Sequence, residues 1–346
     1  MLNLVSRRSA SITPLTVVIT GASSGIGRAT AAAFAKSGAN VVLAARGRDA
    51  LDAVGVQCES SGGHALVVPC DVSDAQAVRA LAHAAITRFD GVDVWINNVG
   101  VGAVGAFDAA PMEAHRRVVE ANLIGHMNGA HAVLPHFRAR RHGILINMIS
   151  VGGWAAAPYA AAYTASKVGL RGFSAALRAE VTDLPEVYVC EVYPTFVDTP
   201  GMVHSTNFTG DQLRPPPPLL DPRSVAAVMV SLSKSPRAVT AIGSVALPAR
   251  LVQTVAPALT GRVTRQLIDV ALGRAALAAQ TSGNLFAPSQ SHAIDGGYRK
   301  PLRHAAPVAA LAVLGTVGLG VLWAMRTRGG RSMMHLARRS GVVAPT

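Results

Sequence analysis

Between residues 17 and 192 the chain alternates short β-branched apolar runs with longer, alanine-rich stretches. The runs at 17–20, 41–45, 65–69, 92–96, 143–149 and 187–192 are too continuously apolar for one wet face, which predicts buried strands. Helical spacing predicts helices over 26–37, 74–89, 112–139, 160–182 and 222–233. Strand and helix in this rhythm specify a parallel sheet covered on both faces. Right-handed crossovers then make it a doubly wound α/β (Rossmann) fold. After Tyr193 the rhythm fails. Residues 195–220, with consecutive prolines at 215–218, read as a loop or lid.

Two later segments keep an apolar pattern of another kind. Within 248–280, Leu251, Val252, Val255, Leu259, Val263, Leu267 and Leu272 alternate with Arg250, Arg262, Arg265 and Arg274. This basic amphipathic pattern fits two helices broken near Pro257 or Gly261, lying either on a membrane surface or against the body. Residues 305–325 carry no charge and are bracketed by arginines, which is the length of a membrane span or of a buried helix. The expected organisation is a tail (1–13), one catalytic domain (14–245), a basic helical extension (246–304), a transmembrane helix (305–325) and a basic tail (326–346).

Composition narrows the class. Half of the 346 residues are apolar and 15% are charged, so the chain has the means to bury a large core. The net charge of +13 would point to nucleic acid or an anionic surface were it spread over one face. Instead, eight lysines and arginines and no acid lie from Arg299 onward, and Arg7 and Arg8 sit at the other end. The body is nearly balanced, which excludes a nucleic-acid-binding face. Cys58, Cys70 and Cys190 are far apart, fit no metal spacing, and read as buried thiols of a reducing compartment. His126, His131 and His136 lie on or beside one predicted helix as partly exposed residues, with no set of metal ligands around them.

The candidate chemistry begins at Thr20-Gly21-Ala22-Ser23-Ser24-Gly25-Ile26-Gly27, between the first strand and the first helix. Glycines allow a tight turn and close approach to a pyrophosphate, and the helix N-terminus offers free N–H groups. At the end of the second strand, where NAD-binding folds place an acid for the ribose 2′-hydroxyl, the residue is Arg46. A guanidinium there suits a 2′-phosphate, so the expected cofactor is NADP(H). Tyr163 and Lys167 share one helix face. An ammonium beside the phenol would stabilise tyrosinate, as would a positively charged nicotinamide, and the phenol could then exchange a proton with a carbonyl oxygen. Ser150 closes the preceding strand at the carboxyl edge, where it could hold that oxygen. A Tyr-x-x-x-Lys pair by itself is more often a solvated helix face.

Over about residues 14–245 the chain resembles the classical short-chain dehydrogenases/reductases. The glycine run is similar to that family's Thr-Gly-x-x-x-Gly-x-Gly, and Asp71-Val72 to its adenine-contacting pair. Asn97-Asn98-Val99-Gly100 resembles its Asn-Asn-Ala-Gly, with one change to valine. The resemblance implies that Asn122 is the catalytic asparagine holding a helix and a relay water. It also implies that Ser150, Tyr163 and Lys167 are catalytic, with Lys167 gripping the nicotinamide ribose. Pro194-Thr195-Phe196-Val197-Asp198-Thr199 resembles the family's Pro-Gly-x-x-x-Thr, with Thr195 in place of glycine and Thr199 toward the carboxamide.

The resulting expectation is hydride transfer between NADP(H) and a carbonyl or secondary alcohol, on a lipophilic small molecule near Trp154, Tyr159, Tyr193, Phe196 and Met202. The alternative is a non-catalytic NADP(H)-binding scaffold or redox sensor at a membrane. Homo-oligomers are expected from the family. Membrane association through the C-terminal segment is expected, with the catalytic domain in the cytoplasm. That topology sends more arginines across the membrane than it keeps inside, a conflict that a re-entrant or interfacial helix would remove.

Overall fold

A computed structural model describes residues 14–202, 204–289 and 291–299. Seven parallel strands form one sheet: β1 (Thr16–Thr20), β2 (Asn40–Ala45), β3 (His64–Pro69), β4 (Val94–Asn97), β6 (Gly143–Met148), β7 (Val187–Pro194) and β9 (Val239–Ile242). Their order is β3-β2-β1-β4-β6-β7-β9, doubly wound from the centre as the sequence predicts. A second, two-stranded pairing joins β5 (Ala103–Val104) to β8 (Thr206–Asn207) at the rim.

Period-two alternation sorts the strand side chains between two cores. Val17, Ile19, Val41 and Leu43 pack with Phe34 of α1 (Gly25–Ala35), Leu51 of α2 (Arg48–Ser60) and Met229 of α7 (Pro222–Lys234). Val18, Val42, Trp95 and Leu145 face the other way. They meet Leu81 of α3 (Ala75–Phe89), Phe137 of α5 (Gly125–Arg140) and Leu177 of α6 (Ala161–Glu180). Both faces are covered, which is why the strands read as continuous apolar runs. The helix starts are locally encoded: Asp74 accepts from the N–H groups of Gln76 and Ala77, and Asp221 from that of Arg223 ahead of Pro222.

The structure departs from the sequence pattern in several elements. The stretch expected as one helix over 112–139 is α4 (Met112–Val119), a π turn (Glu120–Ile124) and α5. The pattern also passed over α2, β9 and the β5/β8 pair. In the extension the pattern agrees with the structure: two helices, α8 (Ala246–Val255) and α9 (Pro257–Leu272), are broken at Ala256, next to Pro257. Residues 281–289 and 291–299 then run back across the carboxyl edge of the sheet, a path that no local pattern encodes.

The described residues belong to one compact unit. The expected transmembrane helix at 305–325 and the tail at 326–346 lie outside the described residues. Among the described residues no helix is long and apolar enough to cross a membrane.

Candidate active site

At the carboxyl edge of β1, the Thr20 hydroxyl donates to the Ile96 carbonyl (3.3 Å) and accepts from the Asn98 amide (3.0 Å). The Asn98 side chain donates to the carbonyls of Thr20 and Gly21 (3.1 and 3.3 Å), so β4 holds the glycine loop in place. Gly21 has a φ of +66°, and a Cβ on Gly27 would sit 2.0 Å from the Gly21 carbonyl oxygen. The loop closes this tightly only with glycine at both positions. Ser23 and Ser24 follow, Ser24 as an N-cap that makes no side-chain cap bond, and Ile26 packs inward against the core. The first-turn amides of α1 have no intrahelical partners.

Arg46 directly follows β2, half-buried, and the strand itself carries no acid. It is not a solvated surface residue. Its guanidinium donates to the backbone carbonyls of Leu285 (3.0 Å), Asn284 (2.5 Å) and Ala287 (2.7 Å). Asp71, expected toward an adenine, is engaged by the Ser73 amide and hydroxyl (3.0 and 2.7 Å) and by an ion pair with Arg117 of α4. These donors hold its carboxyl below the usual range against the opposing effect of burial. Arg117 also reaches the Leu285 carbonyl (3.3 Å). Its part here carries no sequence signal, because the partners are 46 and 168 residues away. Val72 is buried where α5 begins, and its carbonyl accepts from Asn128 (2.9 Å).

Asn122 sits in the π turn, fully buried. Its Oδ1 accepts from the Val101 amide (2.8 Å), and its Nδ2 donates to the Val101 carbonyl (2.9 Å) and the Ser166 hydroxyl (3.2 Å). It thereby ties the loop after β4 to α6, one residue from Lys167. The Val99 carbonyl accepts from His126 Nε2 (2.9 Å). His126 is buried and not, as expected, a partly exposed helix residue; burial and the neighbouring Lys167 charge push it down to about 3. Gly100 lies against Lys167, with its Cβ position 3.8 Å from Nζ.

Ser150 leaves β6 with φ +112° and ψ 156°, a conformation that costs a non-glycine residue about 1–3 kcal/mol. Its hydroxyl accepts from the Gly152 amide (3.2 Å) and its carbonyl from the Gly153 amide (2.9 Å) in the short turn Val151–Gly153. The reward is position: the turn sets Ser150 beside the half-buried Tyr163, with Ser150 Oγ 3.8 Å and Tyr163 Cε1 3.0 Å from the Cβ position of Gly152. Lys167 Nζ lies 5.7 Å from the centre of the Tyr163 ring and donates to the Met148 carbonyl (3.0 Å). The electrostatics differ from the expected tyrosinate. Burial raises the Tyr163 phenol, which Ser150 opposes, and burial lowers Lys167 to about 7. Burial disfavours the charged form of each group.

The run from Pro194 closes the site from the other side. Pro194 is the last residue of β7, Val197 bridges to Leu220, and Thr199 approaches within 3.2 Å of the Cβ position of Gly25. Thr195, standing where glycine was expected, keeps the strand path: its amide donates to Ile242 (3.0 Å), and Gly243 makes room for its side chain. Among the expected substrate neighbours, Tyr193 and Trp154 are instead stacked core residues, 3.8 Å between centres and packed with Ile149 and Leu170. Flat aromatic surface beside β7 is better covered than wet. Tyr159 bonds Asp269 of α9 (2.5 Å), and Phe196 stays exposed.

The structure combines a doubly wound parallel sheet, a glycine loop opening its first helix, and Ser150, Tyr163 and Lys167 grouped at its carboxyl edge. The sequence profile of the short chain dehydrogenases matches residues 15–209, and this chain belongs to that family. It is 31% identical over 255 residues to the uncharacterized oxidoreductase YxnA of Bacillus subtilis, covering 73% of this chain and 72% of that protein. A fatty acyl-CoA reductase of Acinetobacter baylyi is 37% identical over 185 residues (53% and 62% of the two chains). A 3beta-hydroxysteroid dehydrogenase of Eggerthella lenta is 35% identical over 205 residues (58% and 76%). Among solved structures, an alcohol dehydrogenase from Thermococcus sibiricus complexed with 5-hydroxy-NADP superposes with a TM-score of 0.58 at 27% identity, covering 67% of this chain and 97% of that one. A metagenomic short-chain oxidoreductase in complex with NADP gives 0.56 at 30% identity, covering 66% and 96%.

Proposed function

We propose that this chain is an NADP(H)-dependent oxidoreductase acting on a carbonyl or secondary alcohol, with Tyr163 as the general acid and base. The observation that carries the reading is the grouping of Ser150, Tyr163 and the buried Lys167 at the carboxyl edge of the sheet, with Lys167 Nζ 5.7 Å from the Tyr163 ring centre. A phenol kept neutral by burial is a proton donor in waiting. Ser150 holds the substrate oxygen beside it, and Lys167, held by the Met148 carbonyl, offers a compensating charge as the proton leaves. Asn122 positions both α6 and the loop after β4.

The residues present fit the dinucleotide. The loop from Thr20 to Gly27 offers a close backbone and the N-terminus of α1 to a diphosphate, and Arg46, where an NAD-binding strand would end in an acid, suits the 2′-phosphate. Asp71, Val72, Asn98, Val99 and Gly100 would border the adenosine and nicotinamide ribose, Lys167 the ribose hydroxyls, and Pro194, Val197 and Thr199 the carboxamide. When bound, the nicotinamide supplies or accepts the hydride. The two NADP-type complexes among its structural neighbours support the same choice. A scaffold without turnover would not require Asn122, Ser150, Tyr163 and Lys167 together.

Tyr163→Phe is expected to lower kcat by roughly 10²–10⁴-fold while the Kd for NADPH stays within about twofold. Turnover at the unmodified rate would overturn the mechanism.

The finer reading is a lipophilic substrate met at a membrane surface. Leu247, Leu251 and Val255 of α8 and Leu259, Val263, Leu267 and Val270 of α9 are exposed, flanked by exposed Arg250, Arg262, Arg265 and Arg274. Asp269 is the single acid on these two helices. An apolar stripe with a cationic border matches anionic lipid headgroups above acyl chains. Tyr159, bonded to Asp269, leads from that stripe to the start of α6 and Tyr163. The acyl and steroid names of two relatives fit such a substrate.

A further inference from the structure

The most unusual feature of the cleft is that this chain itself fills it. Residues 284–289 and 291–299 cross the carboxyl edge and bond, one after another, to the groups that the cofactor reading reserves for a dinucleotide. The carbonyls of Asn284, Leu285 and Ala287 surround Arg46. Leu285 is 1% exposed and packs in the cluster of Val101, Val118 and Ala121. The Ala293 carbonyl accepts from the Gly25 amide at the N-terminus of α1 (2.9 Å), and the His292 carbonyl from Arg28 (2.6 Å). Beyond them the Gly296 amide donates to the Asp198 carbonyl, and the Tyr298 and Arg299 amides donate to the Asp198 carboxylate (2.9 and 3.1 Å). Arg299 also pairs with Asp221 and Asp295, and Arg223 with Asp295, so the far end is clasped by ions.

The chemistry of these contacts is specific. At both places where the cofactor would bring an anion, the helix N-terminus and Arg46, the strap presents backbone carbonyl oxygens. A carbonyl is a neutral acceptor that satisfies a donor, and a phosphate is a charged one that binds the same donor more strongly. The two sets of acceptors compete for the same N–H groups.

We propose that residues 284–289 and 291–299 are an internal stand-in for the dinucleotide, which must be displaced before NADP(H) binds. This rests on the cofactor reading above. If only a fraction f of the molecules has the strap released, the apparent Kd for NADPH is the intrinsic value divided by f. The strap then sets how much free cofactor the enzyme needs, and a partner or surface that draws 284–299 away would activate it.

A cross-link tests this. The Cβ position of Gly47 lies 3.4 Å from Pro288 Cβ, close to the 3.5–4.5 Å of a disulfide, and Gly47 has an ordinary φ of −88°. In the full chain, Gly47→Cys with Pro288→Cys would pin the strap when oxidised and release it with dithiothreitol. NADPH fluorescence titration is expected to show at least tenfold weaker binding in the oxidised than in the reduced form. Equal affinity in the two forms would overturn the inference. Hydrogen exchange of the unmodified protein gives a second readout. Saturating NADPH should speed exchange of the amides over 284–299, and slower exchange would make the strap a clamp on bound cofactor and refute displacement. If neither the reduced variant nor the unmodified chain binds NADPH, the cofactor reading itself falls and this inference with it.

Discussion

Lys167 is an ammonium buried to 2% exposure with one hydrogen-bonding partner, the Met148 carbonyl, and burial brings it from 10.5 to about 7. The consequence for stability has a definite sign. Between pH 7 and 9 the unfolded chain binds a proton at this lysine that the folded chain lacks, so stability rises with pH, by at most about 1.4 kcal/mol per unit. Above pH 9 the trend reverses, because Cys58, Cys70 and Cys190 are held near 11 when folded against 9.0 when unfolded. Urea unfolding from pH 6.5 to 9 should show the midpoint climbing, and Lys167→Met should flatten the climb. A midpoint independent of pH in the unmodified chain would mean that the lysine has a counter-charge or water. The spacing of Tyr163 and Lys167 was legible in the sequence because a helix repeats locally. Their protonation was not, because it depends on how completely β6, α6 and the loop after β4 exclude water.

The π turn at Glu120–Ile124 shows the same division at the level of elements. A helix over 112–139 is what the local pattern favours, and helix it is on either side. The turn widens where Asn122 spends its side chain on the Val101 backbone, a partner from another element, and π turns of this kind gather at functional sites. A few residues on, α5 crosses β4 at Gly129, whose Cβ position would lie 2.3 Å from Asn97 Oδ1 and 2.7 Å from Trp95 Nε1. Those two atoms are themselves hydrogen-bonded at 2.8 Å in the core. Gly129→Ala should therefore cost about 1–3 kcal/mol through overpacking despite its better helix propensity. Chemical denaturation would measure it; a stabilised protein would show that the crossing yields. By contrast β9 and α2 escaped the pattern reading: β9 is short and lies beyond the proline-rich loop, and α2 has an interrupted apolar stripe.

At the scale of the whole molecule the face made by α8 and α9 stands unpartnered among the described residues. If anionic lipid covers it, vesicles rich in anionic headgroups should sediment the full chain, and salt should weaken binding. Replacing Leu259 and Leu267 by aspartate should reduce partitioning at least tenfold, since each loses about 1.5–3 kcal/mol of apolar burial. Equal sedimentation of the variant would place any lipid contact elsewhere. The sequence by itself determined the parallel sheet, the glycine loop, Arg46 at the end of β2 and the order of Asn122, Ser150, Tyr163 and Lys167. Strand period, helix period and turn chemistry act over a few residues and are written where they act. Only the tertiary structure decided that Tyr193 and Trp154 belong to the core and that His126 is buried and neutral. It alone laid residues 284–289 and 291–299 over Arg46 and Gly25. Those outcomes come from contacts between groups up to 268 residues apart in a water-poor cleft, and no local pattern carries such a distance.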